Sequence, residues 1–215
     1  MRALCLHLFA AHIPRMREVE LKALVPDVDD ARARVERAGA RLVYEGRLED
    51  RRYDAPDRSL AARDHVLRLR VYRDAASGDV RSAALDWKGP TGYENGYKVR
   101  EELSSDTRDP DSLAAILAGL GYVVTREIDR HIAQYELAGA TVRFEHYPRM
   151  DTLVEVEGAP EAIEVAARAT GLPRDAFTSE RLPAFVARFE ARTGERAALC
   201  DREIAGDYCF SVGDA

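Results

Sequence analysis

Three short stretches alternate a charged residue with an aliphatic one. They are Glu18-Val19-Glu20-Leu21-Lys22, Leu67-Arg68-Leu69-Arg70 and Leu153-Val154-Glu155-Val156-Glu157. That is the period of a β-strand, whose successive side chains point to opposite faces. Each stretch therefore has one charged face and one aliphatic face, which narrows the choice of fold sharply. Helices are also expected, and one carries Leu113, Ile116, Leu117 and Leu120 at helical spacing. Such a stripe needs an apolar wall to cover. Turning the aliphatic faces outwards supplies the wall and turns the charged faces inwards. The fold class expected is α+β, a closed antiparallel β-barrel of about eight strands with peripheral helices.

Along the chain, strands are expected over residues 17–25, 41–53 (broken or bulged near Gly46), 66–73, a segment ending at Lys88, and 97–104. Three or four more follow over 122–128, 130–137, 141–146 and 152–157. Asp27 and Asp109-Pro110 open helices, and Pro160 and Pro183 open two more. No fixed repeat and no break in composition divides the chain. Residues 1–15 read as a dispensable leader, 16–195 as the barrel domain with its C-terminal helices, and 196–215 as a tail.

Hydrophobic residues at 46% suffice for a core, while charged residues at 33% leave many charges to place. A net charge of −6 argues against non-specific binding to nucleic acid or to an anionic membrane. Cys5, Cys200 and Cys209 have neither disulfide-framework nor zinc-site spacing and suit a reducing, cytoplasmic setting. No run reaches the roughly 18 apolar residues of a transmembrane helix. A phosphate-binding glycine loop of the G-x-x-x-x-G-K-[ST] type and a G-x-S-x-G elbow are both missing.

The inward faces collect two sets of residues. The acids are Glu18, Glu20, Glu102, Glu145, Glu155 and Glu157; the bases are Lys22, Arg68, Arg70, Lys88, Lys98, Arg100 and Arg130. A single E-x-E or R-x-R is most often a solvated strand face. Acid pairs in the first and last strands, with bases between them, are a rarer conjunction. Enclosed charges cost several kcal/mol per ion, in order of magnitude, unless paired, hydrated or met by a ligand. Clustered arginines suit a polyanion, and clustered carboxylates without His or Cys suit Mg²⁺ or Mn²⁺. A site wanting both is suited to metal-assisted phosphoryl or nucleotidyl transfer.

On these residues the chain resembles the CYTH superfamily, the triphosphate tunnel metalloenzymes that include class IV adenylyl cyclases and thiamine triphosphatases. The E-x-E-x-K signature stands at Glu18, Glu20 and Lys22, and the paired arginines at Arg68 and Arg70. The lysine before a Gly-Pro loop is Lys88, the R-x-E strand is Arg100-Glu101-Glu102, and the closing E-x-E is Glu155-Val156-Glu157. The resemblance runs from residue 17 to about 190. It implies that Glu18, Glu20, Glu155 and Glu157 are catalytic and hold metal, supported by Glu102 and Glu145. It further implies that Lys22, Arg68, Arg70, Lys88, Lys98, Arg100 and Arg130 grip a triphosphate. Two departures stand out: Glu145 replaces a frequent Asp, and Arg130 is the one base aligned in its region, followed by His131, Ile132 and Ala133.

The expected activity is metal-dependent hydrolysis of inorganic tripolyphosphate or a small organic triphosphate. The alternatives are a class IV-type adenylyl cyclase, making cyclic AMP and pyrophosphate from ATP, and a non-catalytic polyphosphate- or nucleotide-binding module. A β-rich scaffold with solvated charges is the reading without function. The partner expected is a triphosphate-bearing small molecule, with a homodimer as the assembly to test.

Overall fold

In the computed structural model the residues described are 16–208. The leader 1–15 and the end of the tail, 209–215, lie outside them. Nine strands form one antiparallel sheet: β1 Met16–Leu24, β2 Arg41–Asp54, β3 Val66–Asp74, β4 Val80–Lys88, β5 Gly92–Glu94, β6 Tyr97–Thr107, β7 Val123–Leu137, β8 Ala140–His146 and β9 Leu153–Glu157. Their order is β1-β9-β8-β7-β2-β3-β4-β6, and β6 pairs back onto β1, so eight strands close a barrel. The short β5 lies on β6.

The helices are α1 Val28–Arg37, α2 Pro110–Gly119, α3 Pro160–Ala169, α4 Leu182–Thr193 and α5 Asp201–Ala205. Asp27 and Asp109 cap α1 and α2 by accepting from the amides of Asp30 and Ser112. Among the described residues no helix is long and apolar enough to cross a membrane.

The aliphatic strand faces do point outwards. Leu21 and Ala23 of β1, Val142 and Phe144 of β8 and Val154 and Val156 of β9 pack with Val35 of α1 and Ile163 of α3. Leu117 of α2 covers Leu69, Val71 and Ala83 on β3 and β4. The third apolar cluster lies at a barrel mouth. Ile128 and Leu153 share parity with inward-facing charged residues on their strands, and both meet Phe185, Val186 and Phe189 of α4. The pairs Leu24/Leu153, Glu145/Leu153, Asp54/Val123 and Val66/Lys88 put the corresponding strand ends at this same mouth. Helix α4 therefore stops one end of the barrel.

Four local features differ from the sequence reading. The strands expected over 122–128 and 130–137 are one continuous β7. Asp129 does not break it, because its amide bonds Leu199 O at 2.7 Å and its carboxylate pairs with Arg51 and Arg47. Strand β2 runs unbroken through Gly46; the register shifts instead between Leu42 and Tyr44 and between Arg52 and Tyr53. Gly46 is needed for another reason, since a side chain there would strike the Arg73 carbonyl and the Tyr44 hydroxyl, which bond each other at 2.7 Å. Charge is also not confined to the inward faces: Arg47, Glu49, Arg51, Glu127 and Asp129 pair on the other face of β2 and β7. Finally, residues 197–208, read as part of a tail, pack on the barrel. Ala197 to Cys200 are buried, Ala198 exchanges backbone bonds with Arg149, and Arg202 pairs with Glu127.

Candidate active site

Strand alternation sends every second residue into the barrel, and register decides which charges meet there. Directly opposed across neighbouring strands are Glu18/Arg100, Glu20/Lys98, Lys22/Glu155, Lys88/Glu102, Arg68/Asp86, Asp50/Arg70 and Arg143/Glu155. At the inward positions one directly opposed pair consists of two carboxylates: Glu20/Glu157.

The six expected glutamates fall into two groups. Carboxylate oxygens of Glu18, Glu102 and Glu157 lie within 4.8 Å of one another. Lys88 reaches two of them, Glu18 at 2.5 Å and Glu102 at 3.3 Å. Glu18 Oε2 remains buried without a hydrogen-bond partner, and Glu157 has no salt bridge among the described residues. Burial and the adjacent Glu18 raise the Glu157 carboxyl above the usual range, and Arg143 and Lys88 offset this only in part. Three hard oxygen donors, one atom orphaned and one carboxyl penalised for its charge, fit a divalent cation such as Mg²⁺ or Mn²⁺.

The other three glutamates are spent on bases. Glu20 accepts from Lys22 at 2.6 Å and Lys98 at 2.5 Å. Glu145 accepts from Arg130 at 3.0 Å, Arg143 at 3.1 Å and the Tyr147 hydroxyl at 2.6 Å. Glu155 pairs with Lys22 and Arg143. Burial opposes ionisation of Glu145, but Arg130 and Arg143 win and hold it at about 2. Glu20 is likewise held well below the carboxylate range by Lys22 and Lys98 against burial.

The expected bases also separate. Lys22, Arg68, Lys88, Lys98, Arg100 and Arg130 line a cavity of about 80 Å³ inside the barrel. Arg68 contacts Asp86 at 2.9 Å, with Asp50 and Glu102 both at 3.4 Å. Arg70 pairs with Asp86 at 2.5 Å and is not part of the cavity lining. Arg100 gives Nε to Gly89 O at 2.7 Å and Nη2 to Asp64 O at 2.5 Å, so these donors hold loops. Burial lowers the Lys98 ammonium to about 8 despite Glu20.

Several lining residues escaped the sequence reading: Asp50, Arg52, Arg143, Tyr147 and Arg181. Arg143 shares strand parity with Glu145, so alternation alone could have found it. Asp50 is masked by the run Glu49-Asp50-Arg51-Arg52, in which both faces are charged.

Beside α4 the cavity adjoins a wider vestibule of about 650 Å³, with Arg52, Val66, Arg181 and Pro183 common to both. Tyr53, His65 and Tyr93 also line the vestibule. None of Glu18, Glu102 and Glu157 lines this vestibule.

The CYTH domain family matches residues 16–177. No curated protein sequence matches the chain. A Vibrio parahaemolyticus structure, proposed to be an adenylate cyclase, is 18% identical with a TM-score of 0.68, covering 80% of this chain and 99% of that one. The PH1819 protein of Pyrococcus horikoshii is 24% identical with a TM-score of 0.62, covering 76% and 94%. A Hippeastrum protein, proposed to be an adenylyl cyclase and described as having a dominant triphosphatase activity, is 16% identical with a TM-score of 0.56, covering 85% and 98%.

Proposed function

The chain belongs to the CYTH domain family, and from that premise we propose that it is a divalent-metal-dependent triphosphatase. Its substrate would be inorganic tripolyphosphate or a small organic triphosphate, taken into the barrel. The observation that carries this reading is the coexistence, in one lumen, of a three-carboxylate cluster short of bases and a band of buried bases.

In this reading Glu18, Glu102 and Glu157 hold Mg²⁺ or Mn²⁺, with Glu20, Glu145 and Glu155 keeping the bases in place. The cation would supply charge neutralisation at phosphoryl oxygens and a more acidic bound water. Lys22, Arg68, Lys98, Arg130 and Arg143 bind the phosphate chain, exchanging carboxylate partners for phosphoryl oxygens. Lys88, between Glu18 and Glu102, spans the border of the two regions. The walls exclude bulk water, so each of these contacts counts for more than it would in solvent. Water adds to the terminal phosphorus and gives up a proton, the bond to the bridging oxygen breaks, and the diphosphate end leaves with the bonding electron pair.

Hydrolysis is preferred over cyclisation because no member of the acid cluster lines the vestibule. A substrate with its organic end in the vestibule would bring its terminal phosphoryl group nearest the cation. Cyclisation needs attack at the phosphorus next to the nucleoside. The cyclase reading is favoured instead by the room and aromatic lining of the vestibule and by what the Vibrio relative is proposed to be.

Tripolyphosphate, thiamine triphosphate and ATP, each with Mg²⁺ or Mn²⁺, separate these readings when phosphate, pyrophosphate and cyclic AMP are all measured. Phosphate release is the expected result. Cyclic AMP and pyrophosphate from ATP would establish the cyclase, and tight binding without turnover would establish a binding module. Arg68→Ala is expected to weaken triphosphate binding, while Glu157→Ala mainly abolishes turnover.

A further inference from the structure

Asp64 follows a single 3-10 turn, Ala61–Arg63, and has φ of +55°. Aspartate and asparagine tolerate this left-handed conformation better than most side chains. From it, one residue fastens three segments at the α4 mouth. Its Oδ2 accepts from the amide of Thr91 at 2.6 Å, fixing the loop after Gly89-Pro90. Its carbonyl accepts from Arg100 Nη2 at 2.5 Å. Its Oδ1 accepts from Arg181 Nη1 at 3.1 Å, just ahead of α4. Arg181 lines both the inner cavity and the vestibule, so its guanidinium forms part of the partition between them.

We infer that Asp64 is a positioning residue for triphosphate binding, acting through Arg181. This rests on the triphosphatase reading above. Both side chains are more than a third exposed, so the ion pair adds little to folding. Its effect lies in order: a free arginine samples many rotamers, and a guanidinium already aimed at the passage loses less freedom when it meets a phosphoryl oxygen. Asp64 itself is kept from turning towards the ligand by the Thr91 amide on its other oxygen. None of the three clustered glutamates lines the vestibule that Asp64 shares with Arg181, so the influence falls on binding and not on the chemical step.

The test is a double-mutant cycle with Asp64→Asn, Arg181→Gln and the combined variant. Asparagine retains the backbone conformation, the Thr91 bond and the carbonyl used by Arg100, and removes the charge that faces Arg181 at 3.1 Å and, more distantly, Arg100 at 3.8 Å. Tripolyphosphate affinity is measured by calorimetry with Mg²⁺, alongside KM and kcat for phosphate release and the melting temperature without ligand. Asp64→Asn is expected to weaken affinity and raise KM about threefold to tenfold, with kcat and melting temperature little changed. The double variant is expected to bind no more weakly than Arg181→Gln alone. Additive losses, an unchanged Asp64→Asn protein, or tighter binding in that variant overturn the inference while leaving the functional reading intact. Unchanged affinity in Arg181→Gln overturns it even if Asp64→Asn fails to fold. Wild type that binds no tripolyphosphate overturns both.

Discussion

The two groups of glutamates inside the barrel form a natural comparison. Glu20, Glu145 and Glu155 are matched by Lys22, Lys98, Arg130 and Arg143. Glu18, Glu102 and Glu157 gather around one ammonium, Lys88, with longer contacts to Glu102 alone from Arg68 at 3.4 Å and Arg70 at 3.8 Å. All six share one sequence pattern, the inward position of a β-strand, and nearly one burial. The difference is the neighbour that register delivers. A buried carboxylate with enough bases is structural cement, and removing it strands the bases. One short of bases carries a standing electrostatic penalty that a cation can relieve. Activity and stability should therefore respond oppositely to mutation in the two groups.

The largest expected effect is on turnover. Glu157→Ala should lower metal-dependent phosphate release by about 10³-fold, the several kcal/mol a bound cation contributes. Its melting temperature without metal should hold or rise, because the lost carboxyl was already disfavoured as a charge. A large fall in stability would break the distinction. Next, Glu145→Gln should cost about 3 kcal/mol of folding stability in urea titrations, by leaving Arg130 and Arg143 short of a buried counter-charge. An unaltered unfolding midpoint would show that the cradle does not depend on its acids.

Acid should reveal the same contrast. The Glu145 and Asp50 carboxyls are both held at about 2, where burial is outweighed by Arg130 and Arg143 for one and by Arg68 and Arg130 for the other. With folded values below unfolded ones, their stabilisation is present above about pH 4 to 5 and is lost as pH falls towards 2. Glu157, raised in the folded state, contributes the opposite slope: ionising it as pH rises works against folding. A melting profile flat from pH 5 to 2 would contradict the first assignment. The smallest effect concerns the ammonium that burial lowers to about 8, Lys98. Triphosphate affinity should weaken by up to about tenfold per pH unit above 8 as its charge is lost, and Lys98→Arg should flatten that limb.

Much of the barrel was legible because its strands alternate so cleanly. Glu18-Val19-Glu20-Leu21-Lys22 and Leu153-Val154-Glu155-Val156-Glu157 announce both their faces, and Leu113 and Leu117 announce the helix that needs a wall. Period fails where both faces are charged, which is why Asp50 was lost among Glu49, Arg51 and Arg52. It fails again at Ala197-Ala198-Leu199-Cys200, held largely by backbone bonds to Arg149 and Asp129. The division of the glutamates was beyond any single strand. It depends on Lys88 facing Glu102 and Lys22 facing Glu155, contacts between residues 14 and 133 positions apart in sequence.

Strand β1 is held on one edge by β6 and on the other by β9. While the ribosome has yet to release residues 153–157, the strand bearing Glu18, Glu20 and Lys22 has one seam unsewn. Pairing partners that far apart come together slowly. The nascent protein must therefore carry an open, aggregation-prone border through most of its synthesis. Completion of the three-carboxylate cluster and closure of that last seam would then arrive in the same event.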